Sequence, residues 1–322
     1  MTSELSRREL ITRALPAGAL AVGAVGSAAA TLPRAAGGAE PDKARERFLL
    51  GLNTSTIREH KLPITEIIDL IAAAGYRGIE PWPQDIDRHL ESGGTLKDLD
   101  QRLKDRGVKV IGAIAFFEWM VDDEARRKKA LEDARRRLDQ LAQIGASHIA
   151  APPAGDVEKV DLLRAAERYR AFLEAAAPSG VIPAVEVWGF AKNCYRLGQC
   201  VYVALESGHP QACVLPDVYH LYKGGSGLGG IRLLNPAMIA GFHLNDYPAS
   251  PPRETIRDAD RVYPGDGVAP LKQFIRDLHG IGYQGSLSIE LFNPEYYKQD
   301  AKTVVKTAID KARRVIGDAL VA

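Results

Sequence analysis

Four ionisable residues stand out because each interrupts an otherwise apolar run. Glu186 sits in Pro183-Ala184-Val185-Glu186-Val187-Trp188-Gly189, and Asp217 ends Val214-Leu215-Pro216-Asp217. His243 lies in Gly241-Phe242-His243-Leu244-Asn245-Asp246, and Glu290 in Leu287-Ser288-Ile289-Glu290-Leu291. Three carboxylates buried side by side are costly without a cation, and a divalent ion removes that cost. Three oxygen ligands and one imidazole suit Mn²⁺, Co²⁺, Mg²⁺ or Zn²⁺ and leave coordination positions for a substrate. Taken singly, each residue would read as half of a buried ion pair. Their recurrence on four successive apolar runs favours one catalytic metal site.

Other residues with chemical potential cluster around these four. His220 follows Asp217 by three residues, where an imidazole could hydrogen-bond a substrate hydroxyl or carbonyl. Arg261, in Asp260-Arg261-Val262-Tyr263-Pro264-Gly265-Asp266-Gly267, is placed to hold a substrate oxygen. Trp188 could cover one face of a sugar ring. Asn53, Glu80 with Trp82, and the pair Phe116 and Phe117 are further candidates, with the polar-aromatic stretch Phe292-Asn293-Pro294-Glu295-Tyr296-Tyr297. No basic cluster marks a phosphate site, which favours an unphosphorylated ligand; Arg261, Lys223 and Arg253 are the residues that could assemble one.

The elements that must position these residues are short apolar runs alternating with longer amphipathic segments, the pattern of repeated β-α units around a parallel sheet. Strands are expected at Phe48–Asn53, Arg77–Glu80, Val108–Ala115, His148–Ala151, Ile182–Val187, Cys213–Asp217, Ile239–Leu244 and Ser286–Leu291. Helices are expected at Ile64–Ala74, Asp123–Ile144, Leu162–Ala177, Leu271–Leu278 and Ala301–Val315, with Gly75, Gly145 and Gly280 as candidate caps. In the second of these, Ala130, Leu131, Ala134, Leu138, Leu141 and Ile144 recur at helical spacing while arginines take the other face. An open doubly wound sheet usually announces a Gly-x-Gly-x-x-Gly turn after its first strand, and none follows Asn53. The expected fold is therefore a (β/α)8 barrel, in which catalytic side chains stand at the C-terminal ends of the strands. All four candidate ligands fall at that end. The glycine-rich segment Gly224–Gly230 follows the sixth strand and reads as a mobile loop over the mouth rather than a nucleotide cradle.

On these residues the chain resembles the xylose-isomerase-like barrels, the sugar phosphate isomerases and epimerases, and within them the inosose (2-keto-myo-inositol) isomerases. The likeness covers nearly the whole chain after its N-terminal segment. It is strongest in Asp258-Ala259-Asp260-Arg261-Val262-Tyr263-Pro264-Gly265-Asp266-Gly267 and in Ser288-Ile289-Glu290-Leu291-Phe292-Asn293-Pro294-Glu295-Tyr296-Tyr297-Lys298. The resemblance implies metal ligation by Glu186, Asp217, His243 and Glu290, substrate contact by His220, and acid/base roles for Glu186 and Glu290. It implies isomerisation or epimerisation through an enediolate. β-Elimination from the same intermediate, on a keto-sugar or 3-keto-glycoside, is the alternative outcome. The fifth-strand loop, Trp188 to Cys194, departs from the inosose isomerases.

The N-terminal segment is different in kind. Ser6-Arg7-Arg8-Glu9-Leu10-Ile11 precedes an Ala/Gly-rich apolar run from Ala14 to Ala30, which reads as a twin-arginine-type export signal over residues 1–36, with a linker over 37–45 and the barrel over 46–322. Export to the periplasm or the medium is expected. Pro16 and several glycines interrupt the run, which argues against stable membrane insertion. Loss of residues 1–36 removes four arginines and two glutamates and takes the formal charge from +1 to −1. Such neutrality argues against nucleic acid as a partner and for a small sugar or cyclic polyol. A multi-zinc phosphodiesterase would need more histidines than His60, His89, His148, His209 and His279 supply, and a non-catalytic binding protein would not need two carboxylates on an open metal site. Self-association into a homo-oligomer is left open. Cys194, Cys200 and Cys213 show no Cys-x-x-Cys pair and read as core or helix residues.

Overall fold

The computed structural model describes residues 47–321. The predicted export signal and linker lie outside the described residues. Eight strands occur among those described: β1 (Leu49–Asn53), β2 (Gly78–Glu80), β3 (Lys109–Val110), β4 (His148–Ala151), β5 (Ile182–Glu186), β6 (Val214–Leu215), β7 (Phe242–Leu244) and β8 (Ser286–Ile289). They form two parallel ladders, β3-β2-β1-β8-β7 and β4-β5-β6. Parallel bridges from Ile114 to Ala150, from Val214 to Ile239 and from Asp217 to His243 join the two ladders at both seams and close the ring. The fold is an α/β barrel of parallel strands with helices outside, as expected.

Ten helices are used below: α1 (Ile64–Ala74), α2 (Pro83–Glu91), α3 (Leu96–Arg106), α4 (Glu124–Gln143), α5 (Leu162–Ala176), α6 (Leu197–Glu206), α7 (Val218–Lys223), α8 (Leu271–Gly280), α9 (Pro294–Tyr297) and α10 (Ala301–Leu320). The five helices expected from periodicity are present. Asp123 caps α4 by accepting the Arg126 N–H at 3.0 Å, and Ala130, Ala134, Leu138 and Leu141 form its buried stripe. Gly75 ends α1 in the left-handed conformation. At α8 that role falls to Gly282 rather than Gly280, because the helix continues through Gly280. Helices α2 and α3 carry few apolar residues, burying only Ile86 and Leu99 with Leu103 besides Pro83 and Asp85, so their periodicity was too sparse to read.

The main core lies between the sheet and the helices. A second, small cluster of Ile114, Ala150, Ala184, Cys213 and Leu215 fills the barrel interior. The imidazole of His148 shares that interior, and a Cβ on Gly112 would stand 2.6 Å from its Nε2 and 3.2 Å from Glu80 Oε1. Glycine at 112 therefore makes room for two polar side chains inside the barrel. Among the described residues no helix is long and apolar enough to cross a membrane.

Candidate functional site

The four candidate ligands stand at the C-terminal mouth. Glu186 is the last residue of β5, His243 the middle of β7, and Glu290 follows β8 directly. Asp217 lies two residues past β6 and caps α7, its Oδ1 accepting the His220 N–H at 2.6 Å. All four are essentially inaccessible to solvent. His243 Nδ1 is 3.2 Å from Glu290 Oε2, 3.6 Å from Asp217 Oδ2 and 3.7 Å from Glu186 Oε1. One ligand atom each from Glu186, His243 and Glu290 lies within 4.8 Å of the others, the spacing of a cation site.

The tautomer of His243 follows from its second nitrogen. Nε2 faces the Glu80 carboxylate at 3.0 to 3.1 Å, and a carboxylate accepts, so Nε2 carries the hydrogen. In the neutral ring the Nδ1 lone pair then points into the three carboxylates, the carboxylate–histidine arrangement that orients a metal-binding imidazole. Nδ1 and Glu186 Oε2 are both buried without a hydrogen-bond partner. Buried acceptors left open at the same point fit a cation, because otherwise they would be orphaned at considerable cost.

The titration behaviour reflects the same excess of negative charge. Burial, only partly offset by His243, pushes the Glu186 carboxyl well up, with Glu290 and Asp217 adding to the rise. Burial lowers His243, but the Glu80 and Glu290 charges outweigh it and push the imidazole well above its usual range, a shift that a cation among the carboxylates would oppose in favour of the neutral ring. Burial raises Glu80 as well, yet His243 and the Ser288 hydroxyl, which donates at 2.6 Å, bring it down to about 2.

Arg261 enters this cluster from the loop after β7. Its Nη1 donates to Asp217 Oδ2 at 3.1 Å and to Glu290 Oε2 at 2.8 Å, while Nη2 reaches Asp258 Oδ1 at 2.5 Å and His220 Nε2 at 2.9 Å. A guanidinium only donates, so His220 Nε2 accepts and Nδ1 carries its hydrogen. That Nδ1–H is buried and unpartnered. Burial holds His220 well below its usual range, so the ring is neutral.

Two residues read from the sequence as substrate contacts, Asn53 and Glu80, end β1 and β2 and are engaged with other site residues. Asn53 donates to Glu80 Oε2 at 3.0 Å and Glu290 Oε1 at 3.1 Å, and its Oδ1 accepts from Trp82 Nε1 at 2.9 Å. Glu80 stands behind His243, at 1% exposure. Trp188 does line the mouth, 5.2 Å from Phe116 and 6.3 Å from Phe190 between ring centres. Of the aromatic pair, Phe116 faces Trp82 and Trp188, whereas Phe117 packs outward on Phe172 of α5. Lys223 donates to the carbonyls of Arg253, Glu254 and Ile256, and Arg253 pairs with Glu254. These contacts, rather than Arg261, occupy the two cations. Gly224–Gly230 packs on the start of α6, where Ser226 Oγ accepts the Leu197 N–H at 3.0 Å.

Other contributors went unread. Asn245 donates to Asp217 Oδ2 at 2.7 Å and accepts from Tyr219 N–H, orienting the carboxylate. Thr56 Oγ1 donates to the Ile289 carbonyl and accepts the Leu291 N–H, gripping the backbone on either side of Glu290. Asp246 accepts four backbone N–H groups, from Tyr247, Gly265, Gly267 and Ala269, and so folds the loop that carries Arg261. The polar pair Asn245-Asp246 directly after the His243 strand was the available signal.

A family model described as a xylose isomerase-like TIM barrel matches residues 68–315. The inosose isomerase of Halalkalibacterium halodurans is 27% identical over 227 residues, covering 69% of this chain and 80% of that protein. The 3-dehydroshikimate dehydratase of Pseudomonas putida is 27% identical over 244 residues, 71% of this chain but only 36% of the dehydratase. A crystal structure described as the IolI protein with a binding zinc atom superposes with a TM-score of 0.78 at 22% identity, covering 84% of this chain and 99% of that one.

Proposed function

This chain belongs to the xylose isomerase-like TIM barrel family, and we propose that it is a divalent-metal-dependent isomerase or epimerase of a sugar or keto-inositol, working through an enediolate. The observation that carries the reading is the orientation of His243, whose Nε2–H is held by Glu80 while Nδ1 faces Glu186, Asp217 and Glu290. The similarity to inosose isomerases supports the substrate class. Glu186, His243 and Glu290 would hold the ion, with Asp217 as the fourth ligand; Mn²⁺, Co²⁺, Mg²⁺ and Zn²⁺ all suit that donor set. When bound, the cation supplies electron withdrawal from a carbonyl and an adjacent hydroxyl, which acidifies the C–H between them.

The protein groups then divide the proton work. One of Glu186 and Glu290 removes the carbon-bound proton, and the other returns a proton at the neighbouring carbon, or at the same carbon from the opposite face. The Glu290 carboxylate is held by Asn53 and Arg261, and its flanking backbone by Thr56, whereas one oxygen of Glu186 is unpartnered. Glu186 is thus the freer base. His220 Nδ1–H offers a neutral donor to a substrate oxygen, and Arg261 fixes that ring by donating to its other nitrogen. Trp188 covers the ligand from the mouth. Asn53 and Glu80 act by positioning Glu290 and His243.

Elimination is the second reading, favoured by the similarity to a 3-dehydroshikimate dehydratase. The same base and the His220 donor would serve it, with His220 assisting a departing hydroxyl. The deciding measurement incubates Mn²⁺-loaded protein in D₂O with inososes, ketohexoses and 3-keto-glycosides and follows deuterium and products by NMR. Deuterium beside a carbonyl, or a shifted carbonyl, lost in both Glu186→Gln and Glu290→Gln, is the expected result. Absence of exchange across the panel with metal bound would overturn the isomerase reading, and loss of water or of an aglycone would replace it with elimination.

A further inference from the structure

Two of the three cysteines are neighbours in space. Cys194 Sγ and Cys200 Sγ lie 3.7 Å apart, both buried. Cys194 lies three residues before α6, near the end of the loop from β5, and Cys200 sits in the first turn of α6. The pairing is prepared by the backbone, since Cys194 adopts φ +55, a left-handed conformation that residues with a Cβ seldom take. Asn193 holds it there: its Oδ1 accepts the Cys194 N–H at 2.8 Å, and its Nδ2 donates to the carbonyls of Val157 at 3.1 Å and Val160 at 2.6 Å. Cys200 Sγ also approaches the Cys194 carbonyl at 3.2 Å and the Glu186 carbonyl at 3.7 Å. Cys213 belongs elsewhere, in the cluster inside the barrel with Ile114, Ala150, Ala184 and Leu215.

We propose that Cys194 and Cys200 form a dithiol–disulfide couple that closes on meeting a disulfide oxidant, fastening the β5–α6 loop, while Cys213 stays a free thiol. In the closing reaction one cysteine thiolate attacks the oxidant's disulfide and expels one of its thiolates. The second cysteine then attacks the mixed disulfide and expels the other. The protein dithiol loses two electrons and two protons, and the oxidant leaves as two thiols. The bridge ties the loop's end to α6, while the ladder of β5 holds its start. Trp188 and Phe190, which stand between these two points, are thereby fixed at the mouth. Both thiols are buried, so a disulfide oxidant reaches them when the loop opens or as the chain folds.

The test equilibrates the protein in graded mixtures of oxidised and reduced glutathione, once starting folded and once refolding from denaturant in the same mixtures. Acid quenching, denaturation, alkylation and peptide mass mapping then follow. Reduced protein is expected to alkylate at all three cysteines. Oxidised protein is expected to alkylate only at Cys213 and to yield a linked Cys194–Cys200 peptide, with both starting states converging. Cys213→Ser should close as the parent does, and Cys194→Ala and Cys200→Ala should each keep two free thiols. Three free thiols after refolding under oxidising conditions, or a linkage that includes Cys213, would overturn the proposal. Neither result depends on the enzyme's activity.

Discussion

At the scale of single residues, Glu80 shows how a side chain can govern a site it does not reach from the substrate side. Its carboxylate takes the His243 Nε2–H and the Ser288 hydroxyl, and Asn53 completes its shell. With the ring held in that tautomer, Nδ1 is left as a lone pair aimed at the carboxylates. Glu80→Gln keeps the volume but offers an amide that can present N–H as readily as oxygen, so the tautomer is no longer imposed. Metal affinity is expected to fall ~10- to 100-fold, the usual effect of losing such an orienting partner, while circular dichroism and Tm change little. Isothermal titration with Mn²⁺ and Zn²⁺ measures it, and unchanged affinity would remove Glu80 from the account. The sequence revealed Glu80 as a polar residue at a strand end but not its direction. Inward-facing side chains of eight strands compete for one small interior, and which meets which depends on register between strands far apart in the chain, as with Asn53 opposite Glu80.

At the scale of elements, the loop from β7 to α8 delivers Arg261, and its shape rests on Asp246 and on the absence of a side chain at Gly267. A Cβ there would stand 2.2 Å from the Tyr247 carbonyl and 2.3 Å from Asp246 Oδ1. Gly267→Ala must therefore push backbone aside, at a cost of about 2 kcal/mol by analogy with overpacked sites. For a protein of this size that is a Tm lower by ~5 °C, together with weakened His220 and Arg261 contacts and reduced turnover. A variant with parental Tm and activity would show that the loop does not need this glycine. The motif itself was legible as residues, five helices followed from periodicity, and eight strands followed from apolar runs, although β3, β6 and β7 are shorter than the expected Val108–Ala115, Cys213–Asp217 and Ile239–Leu244. Helices α2 and α3 did not follow, because each buries only one or two aliphatic residues, and ion pairs supplement that packing. Arg137 of α4 grips Asp87 of α2 with both nitrogens, one at 2.5 Å, and Arg102 and Arg106 of α3 reach Asp69 of α1. The Arg137 hydrogen bonds hold Asp87 below the usual carboxylate range. A depressed folded value means the pair stabilises the protein above the ordinary aspartate pKa and loses that contribution as pH falls through the lowered one. Asp87→Asn should accordingly lower Tm at neutral pH by ~2 °C, given at most about 1 kcal/mol for a partly exposed pair. The gap to the parent should narrow in thermal melts as pH falls through and below the ordinary aspartate range; a gap that stays constant would assign the effect to packing instead.

At the scale of the whole molecule, a closed ring of parallel strands couples the site to complete folding. Glu186 comes from β5, His243 from β7 and Glu290 from the end of β8, and β8 pairs both with β7 and with β1 from the start of the barrel. Ligands from half the ring are thus tied to its first strand. A protein exported with a divalent metal would gain from being folded and loaded before it leaves the cytoplasm, since metals outside compete by intrinsic affinity rather than by cellular supply. That requirement matches the route suggested by Ser6-Arg7-Arg8 and the glycine-diluted apolar run after it. We propose that residues 1–36 direct such export, which would also bring Cys194 and Cys200 into an oxidising compartment. Expressed at full length in a bacterium with the twin-arginine pathway, the parent should appear in the periplasmic fraction, its mass reduced by a segment ending near residue 36. Arg7→Lys with Arg8→Lys keeps the charge but removes the guanidinium pair that the receptor reads, and the double variant should accumulate uncleaved in the cytoplasm with its barrel folded. Equal export of both proteins would exclude the twin-arginine route, and retention of both at full mass would exclude export by this segment altogether.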